Sequence, residues 1–264
     1  MEQVINYKKE LQGKVALVTG GTKGIGKAIA DKLSIAGATV VVTARNEPKE
    51  NLNGHHFIAA DLSQPESASL IAKEILEKYG SIEIIVNSAG ANVSHATGFS
   101  SLTDEHWNSE LQLNLMSAVR INKALLPTMI AQQNGVIINI STGAAQRPLW
   151  DVTMAYSAAK AALNAYSKAL SNEVASNGIR VNTVSPGTVK TSAMQAFLDN
   201  TAKSLNISED EAIKNLMSKI GDVPLGRMAE PEEIANLVAF LASPEAKYIT
   251  GVIYQVDGGA LPTV

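Results

Sequence analysis

Val15-Ala16-Leu17-Val18-Thr19 is an unbroken apolar run that ends in Gly20-Gly21-Thr22-Lys23-Gly24-Ile25-Gly26 and passes at once into helical spacing through Ile29, Leu33 and Ala36. An apolar run without polar alternation suits a strand buried on both faces, and such strands belong to parallel sheets covered by helices. The pattern recurs. Thr39 to Thr43, Phe57 to Ala60, Ile82 to Val86, Val136 to Ile140, Ile179 to Val184 and Val252 to Val256 read as further strands. Between them, helices are expected from Ser63-Gln64-Pro65-Glu66 to about Tyr79, from about Thr103 to Ile130, around Tyr156, and from Pro231-Glu232-Glu233 to the stop at Ser243-Pro244. This rhythm predicts an α/β fold, a doubly wound parallel sheet of about seven strands with helices on both faces. No Pro/Gly/Ser-rich linker or charge run divides the 264 residues, so one domain is expected over 1–264.

A glycine turn between a buried strand and a helix has a specific use. Glycines let the backbone turn tightly and let a pyrophosphate approach the amides at the helix start, where the helix dipole favours negative charge. The turn therefore predicts a dinucleotide site. After the second strand come Ala44-Arg45-Asn46, and no carboxylate appears until Glu47. A carboxylate near this point would bind the ribose hydroxyls of NAD, whereas an arginine accommodates the additional phosphate of NADP. Arg45, with Lys23 in the turn, offers two cations, and NADP(H) is preferred over NAD(H). Ligands in such sheets bind outside the carboxyl ends of the strands. Gly20, Arg45, Asp61, Asn87, Ser141 and Pro186 all follow strands and so belong on that edge.

Tyr156 and Lys160 stand four residues apart in an alanine-rich stretch, hence on one face of a helix. A fixed cation beside a phenol favours the phenolate and moves the tyrosine towards neutrality, where it exchanges a proton with an alcohol oxygen. The same pair on a solvated face would be decoration. What decides between these is whether the chain builds a cofactor site for the pair to serve.

Composition removes several alternatives. The chain has no cysteine, which excludes disulfides and thiol chemistry, and its four histidines, His55, His56, His95 and His106, show no ligand spacing, so no metal site is expected. A net charge of −3 without a basic block gives no footprint for nucleic acid or an anionic membrane. No apolar run approaches a membrane span and Met1 to Lys14 lacks a signal-peptide core, so a cytoplasmic protein with small-molecule partners is expected.

Taken together, Thr19-Gly20-x-x-x-Gly24-x-Gly26, Asp61-Leu62, Asn87-Ser88-Ala89-Gly90, Asn114, Ser141-Thr142, Tyr156-x-x-x-Lys160 and Pro186-Gly187 resemble the short-chain dehydrogenase/reductase family in its single-domain branch. Pro224-Leu225-Gly226-Arg227 and Asp257-Gly258-Gly259 extend the resemblance to about residues 11–260. It implies a Rossmann-like, three-layer fold and an NADP(H)-dependent oxidoreductase that interconverts a carbonyl and a secondary alcohol, as a carbonyl reductase does. In the roles it implies, Tyr156 exchanges the proton, and Lys160 holds the nicotinamide ribose and lowers the Tyr156 pKa. A hydroxyl of Ser141 or Thr142 orients the substrate oxygen, and Asn114 keeps a water for a proton relay. The cofactor set it implies comprises Gly20, Thr22, Lys23, Gly24, Ile25 and Gly26 in the turn, Arg45 and Asn46, and Asp61 and Leu62 at the adenine. Asn87, Ala89 and Gly90 line the cofactor, and Pro186, Gly187, Val189 and Thr191 flank the nicotinamide. A homotetramer is implied by analogy.

Three departures stand out. Ser88 replaces a usual second asparagine, Thr142 stands where serine is usual, and Thr142 lies one residue farther from Tyr156 than is common. Threonine keeps the hydroxyl but restricts χ1. Thr142 is favoured, with Ser141 the substitute; if both face away, Gly143 occupies the place and activity should be low. An insert at about 191–223, punctuated by Met194, Phe197, Leu198, Leu216 and Met217, is either a substrate cover or a pair of surface helices. Leu149 and Trp150 read as an apolar pocket wall, or Trp150 as a subunit contact. Two other activities fit the chain, a 3-oxoacyl-carrier reductase and a cofactor-binding regulator with weak chemistry. The first would need a cationic entrance, which Asp199, Glu209, Asp210 and Glu211 do not advertise.

Overall fold

The computed structural model describes residues 10–48, 51–94 and 98–262. His95 and most of the amino-terminal stretch lie outside the described residues. Seven parallel strands form one sheet in the order β3-β2-β1-β4-β5-β6-β7. They are β1 (Val15–Thr19), β2 (Thr39–Ala44), β3 (His56–Ala59), β4 (Ile84–Asn87), β5 (Gly135–Ile140), β6 (Ile179–Pro186) and β7 (Ile253–Val256). The order reverses between β1 and β4, which leaves a crevice at the carboxyl edge.

Successive side chains of a strand point to opposite faces, and the core divides accordingly. From β1, Ala16 and Val18 pack with Ile29 and Leu33 of α1 (Gly24–Ile35) and with Ile234, Val238 and Leu241 of α8 (Pro231–Ala242). On the other face, Val15 and Leu17 join Ile71 and Ile75 of α2 (Ser67–Tyr79) and Ile121, Leu125 and Met129 of α4 (Ser117–Gln132). Val174 of α5 (Met154–Val174) belongs to this second layer. Each fully buried Leu or Ile contributes about 1.5–3 kcal/mol relative to exposure, so a polar substitution at Leu17 or Ile121 is among the most destabilising available.

The strand boundaries differ from expectation at their ends. β3 begins at His56, paired with Val41, and β6 runs on to Pro186 because its ladder with β7 continues to the Pro186–Val256 pair. The helix expected from Thr103 to Ile130 is not uniform. It comprises α3 (Asp104–Leu111), a π-helical turn at Gln112–Met116 and α4. Asn114 sits inside that turn and is buried.

The insert folds as α6 (Ser192–Leu205) and α7 (Glu209–Ile220). Leu198, Ala212 and Met228 are buried there, with Met194, Ile213, Leu216 and Met217 against them, in a cluster separate from both sheet layers. Lys219 of α7 pairs with Asp151 at 2.5 Å, which ties the insert to the loop preceding α5.

Candidate active site

Alanines at 155 and 159, followed by Leu163, Leu170 and Val174, give α5 its buried face and let it lie close to β6. This placement sets Tyr156 and Lys160 above the carboxyl end of β5. Lys160 is buried and its Nζ donates to the Ile140 carbonyl at 2.8 Å. Tyr156 is half-buried and hydrogen-bonded to the Thr142 side chain. Thr142 Oγ1 also accepts from the Ala144 amide at 3.3 Å. Ser141 lies beside the cavity, and its buried Oγ has no hydrogen-bond partner in the structure.

The proton energetics depart from the sequence expectation. Burial pushes the Tyr156 phenol up to about 12; the Thr142 hydrogen bond opposes this and the nearby Glu110 carboxylate adds to it. Burial thus outweighs any pull of the Lys160 ammonium on the phenol; Lys160 Nζ donates to a backbone carbonyl, and its own pKa falls to about 8 through burial, with Glu110 pulling it back up. At neutral pH the phenol holds its proton and Lys160 holds its charge.

A cavity of about 990 Å³ runs from the glycine turn to this pair. Gly20, Thr22, Lys23, Gly24, Ile25 and Gly26 form one wall; Arg45, Asp61 and Leu62 lie at one end, and Ala89, Gly90, Ser141, Tyr156, Lys160 and Thr191 line the rest. The turn is a cradle that side chains would fill. Gly20 and Gly24 have φ of 66° and 53°, and a Cβ on Gly26 would stand 2.2 Å from the Gly20 carbonyl oxygen. Lys23, the N-cap of α1, provides no side-chain hydrogen bond to the first turn, so those amides face the cavity end without a side-chain acceptor. Such a helix start suits a pyrophosphate. Lys23 and Arg45 are exposed, and among the described residues neither has an acidic partner.

Other expected residues fall elsewhere. Asn87 is buried and its Nδ2 donates to Asn122 and Asn139 Oδ1 at 3.0 and 2.8 Å, so the side chain braces the interior and is not on the cavity wall. Asn46 is exposed beside Arg45 without lining the cavity. Pro186, Gly187 and Val189 lie behind it: Val189 is core, and Gly187 abuts Asp257 closely enough that a Cβ would be 2.8 Å from its Cα. Asn114 has no free amide to hold a water. Its Nδ2 donates to Ala91 O, Glu110 O and Glu110 Oε2 at 2.9, 3.1 and 2.8 Å, and its Oδ1 accepts from Ala91 N at 3.1 Å. Its side chain is a clamp on the Ala91 segment.

Two functional residues escaped sequence reasoning. Thr19 Oγ1 accepts from the Ser88 and Ala89 amides, both at 3.0 Å, and so shapes the cavity wall after β4. Glu110 is fully buried beside the Tyr156–Lys160 pair. Its spacing of four residues before Asn114 was the available signal.

Known proteins resemble this chain along nearly its whole length. A family model described as enoyl-(acyl carrier protein) reductase matches residues 20–260. The 3-oxoacyl-(acyl-carrier-protein) reductase FabG of Vibrio cholerae is 38% identical over 256 residues, covering 94% of this chain and 98% of its own. The structure of L-sorbose reductase from Gluconobacter frateurii, complexed with NADPH and L-sorbose, superposes with a TM-score of 0.89 at 33% identity, over 96% of this chain and 98% of that one. Aldohexose dehydrogenase of Thermoplasma acidophilum gives a TM-score of 0.83 at 31% identity, over 97% and 98% of the two chains.

Proposed function

This chain belongs to the short-chain dehydrogenase/reductase family, and from that premise we propose that it is an NADP(H)-dependent oxidoreductase interconverting a ketone and a secondary alcohol, with Tyr156 as the proton donor and acceptor. The observation that carries this is Tyr156 and Lys160, with Ser141, on the wall of a cavity that begins in an anion-suited glycine turn, and Thr142 behind that wall with its hydroxyl on the Tyr156 phenol.

The cradle at Gly20–Gly26 would hold the pyrophosphate of the cofactor, and Lys23 and Arg45 would hold the phosphate that distinguishes NADP from NAD. The bound cofactor supplies or removes the hydride. The protein's own part is the proton. In reduction, Tyr156 donates its phenolic proton to the substrate oxygen, and Thr142, hydrogen-bonded to the same phenol, orients that oxygen. Lys160, charged below about pH 8, stabilises the phenolate left behind. A phenol that keeps its proton at neutral pH is in the state that reduction requires. Ser141 is the alternative hydroxyl; its lack of a hydrogen bond to Tyr156 puts it second.

The relatives divide over the substrate, and so do two readings for this chain. Identity to a 3-oxoacyl-carrier reductase favours an acyl chain on a carrier, while the acids Asp199, Glu209, Asp210 and Glu211 on α6 and α7 favour a small free ketone over an acidic carrier protein. The substrate-covering role of α6 and α7 is supported by the Lys219–Asp151 tie to the loop before α5. We propose further that the chain is a cytoplasmic homotetramer. Edge strand β7 and its surroundings expose Val252, Ile253, Phe240 and Tyr248, which suits a subunit contact. Among the described residues, no helix is long and apolar enough to cross a membrane.

The test is NADPH oxidation with a panel of free ketones, sugars such as L-sorbose, and a 3-oxoacyl thioester. Turnover of a free ketone supports the first reading and turnover of the thioester alone the second. An inert enzyme that still binds NADPH would indicate a cofactor-binding regulator.

A further inference from the structure

Glu110 is a carboxylate with no surface exposure and no cationic side chain within hydrogen-bond distance among the described residues. Its oxygens accept only from N–H groups of neutral donors. Oε1 takes the Val93 and Ser94 amides at 2.7 and 2.8 Å, and Oε2 takes Asn114 Nδ2 at 2.8 Å. Burying a charge without a counter-ion is costly, and a chain that retains one at the edge of its reaction cavity has a use for it.

The network fixes more than position. A carboxylate only accepts hydrogen bonds, so Asn114 must turn its nitrogen towards Glu110. Its oxygen is then forced to the opposite side, where it meets the Ala91 amide at 3.1 Å. That side is also where Lys160 lies: a Cβ placed on Gly90 would stand 2.8 Å from Asn114 Oδ1 and 2.9 Å from Lys160 Nζ, so both atoms flank one point beside the cavity. The amide polarity of Asn114 is thus dictated by Glu110, one helical turn earlier, across the π-helical distortion at Gln112–Met116.

We propose that Glu110 is a positioning residue of the reaction centre, which pins the Ala91–Ser94 cavity wall and orients Asn114 so that an oxygen, and not an amide donor, faces the Lys160 ammonium. The proposal rests on the oxidoreductase reading of the site. Its negative charge also reaches the proton-transfer pair, raising both Tyr156 and Lys160. Those two groups on α5 are the titratable neighbours coupled to it. The 91–94 segment contributes none, and His106, one turn earlier on α3, is half-buried and turned to Thr103. Glu110 thereby favours the protonated form of each member of the pair, adding to burial at Tyr156 and opposing it at Lys160.

Glu110→Gln tests this with almost no change in volume. A glutamine keeping Oε1 on Val93 and Ser94 presents its own NH₂ to Asn114 Nδ2, so Asn114 must turn over or lose its bond. Glu110→Asp retains the charge but shortens the reach, and serves if the glutamine variant does not fold. Each variant is followed by thermal melting, by NADPH affinity, by kcat with pH on whichever ketone the panel identifies, and by NMR titration of tyrosine labelled at ¹³Cζ, with Tyr156→Phe assigning the Tyr156 signal. Glu110→Gln is expected to bind NADPH as before, to lose kcat on the order of 10- to 100-fold, and to move both the Tyr156 titration and the alkaline limb of kcat to lower pH. Glu110→Asp is expected to lose kcat while Tyr156 titrates near its original position. Wild-type kcat and an unmoved Tyr156 titration in a folded Glu110→Gln, or a change in melting alone, would overturn the proposal. The titration needs no substrate, so a shift in a protein inert to every carbonyl sustains the positioning role and counts against the oxidoreductase reading instead.

Discussion

Tyr156 and Lys160 show how far one pair of side chains determines the chemistry and how far their surroundings modify it. Four-residue spacing put both on one face, as expected. Spacing alone said that the lysine would bring the tyrosine towards neutrality; burial instead raises the phenol and lowers the ammonium. The pH behaviour should follow the lysine. Its pKa is lowered to about 8, so the cation is present below that value and lost above it, and reductive kcat/KM is expected to decline as pH rises through about 8 even though the phenol remains protonated to about 12. The sign for stability is opposite in sense: with 10.5 as its ordinary value, burial of charged Lys160 penalises the fold below about 8, and the penalty fades as pH rises towards 10.5. Lys160→Met should flatten that rise in a series of melting temperatures. The two candidate hydroxyls separate in the same way. Thr142→Ala is expected to lower kcat by about 10²-fold, and Ser141→Ala by far less, in steady-state kinetics. Equal losses would move the substrate-orienting role to Ser141.

At the scale of elements, what was legible followed from periodicity and glycine. Unbroken apolar runs identified the strands, and the strand, glycine turn and helix around Gly20 located the cradle. Gly26→Ala should be severe, since the added Cβ would be 2.2 Å from the Gly20 carbonyl. A destabilisation of about 1–3 kcal/mol is expected from such overpacking, read as a lower melting temperature together with weaker NADPH binding. The π-helical turn at Gln112–Met116 was not legible. Its residues, Gln112 to Met116, continue a plausible helical pattern, and the contact of Asn114 with the distant Ala91 is one that periodicity does not report. For the same reason Asn87 and Asn114 were assigned outward roles from motif position, while their actual hydrogen bonds run into the protein.

For the molecule as a whole, the doubly wound sheet, its strand count and the edge on which the site lies were all contained in the order of apolar runs. The strand order with its reversal between β1 and β4 then brings residues as distant as Gly20, Arg45 and Tyr156 around one cavity. Cofactor choice belongs to this scale, because Lys23 and Arg45 come from different strand ends. Arg45→Ala is expected to weaken NADPH binding about tenfold, the loss of one charge-assisted contact, while NADH binding changes little; fluorescence titration of both nucleotides measures it. Equal affinities in the unaltered protein would remove the role given to the two cations. The most direct measurement is made on Tyr156→Phe, with NADPH affinity and turnover of the same ketone determined on one preparation. Retained NADPH affinity with turnover reduced by at least about 10²-fold is the expected result, and turnover equal to that of the unaltered protein would contradict the assignment of Tyr156 as proton donor.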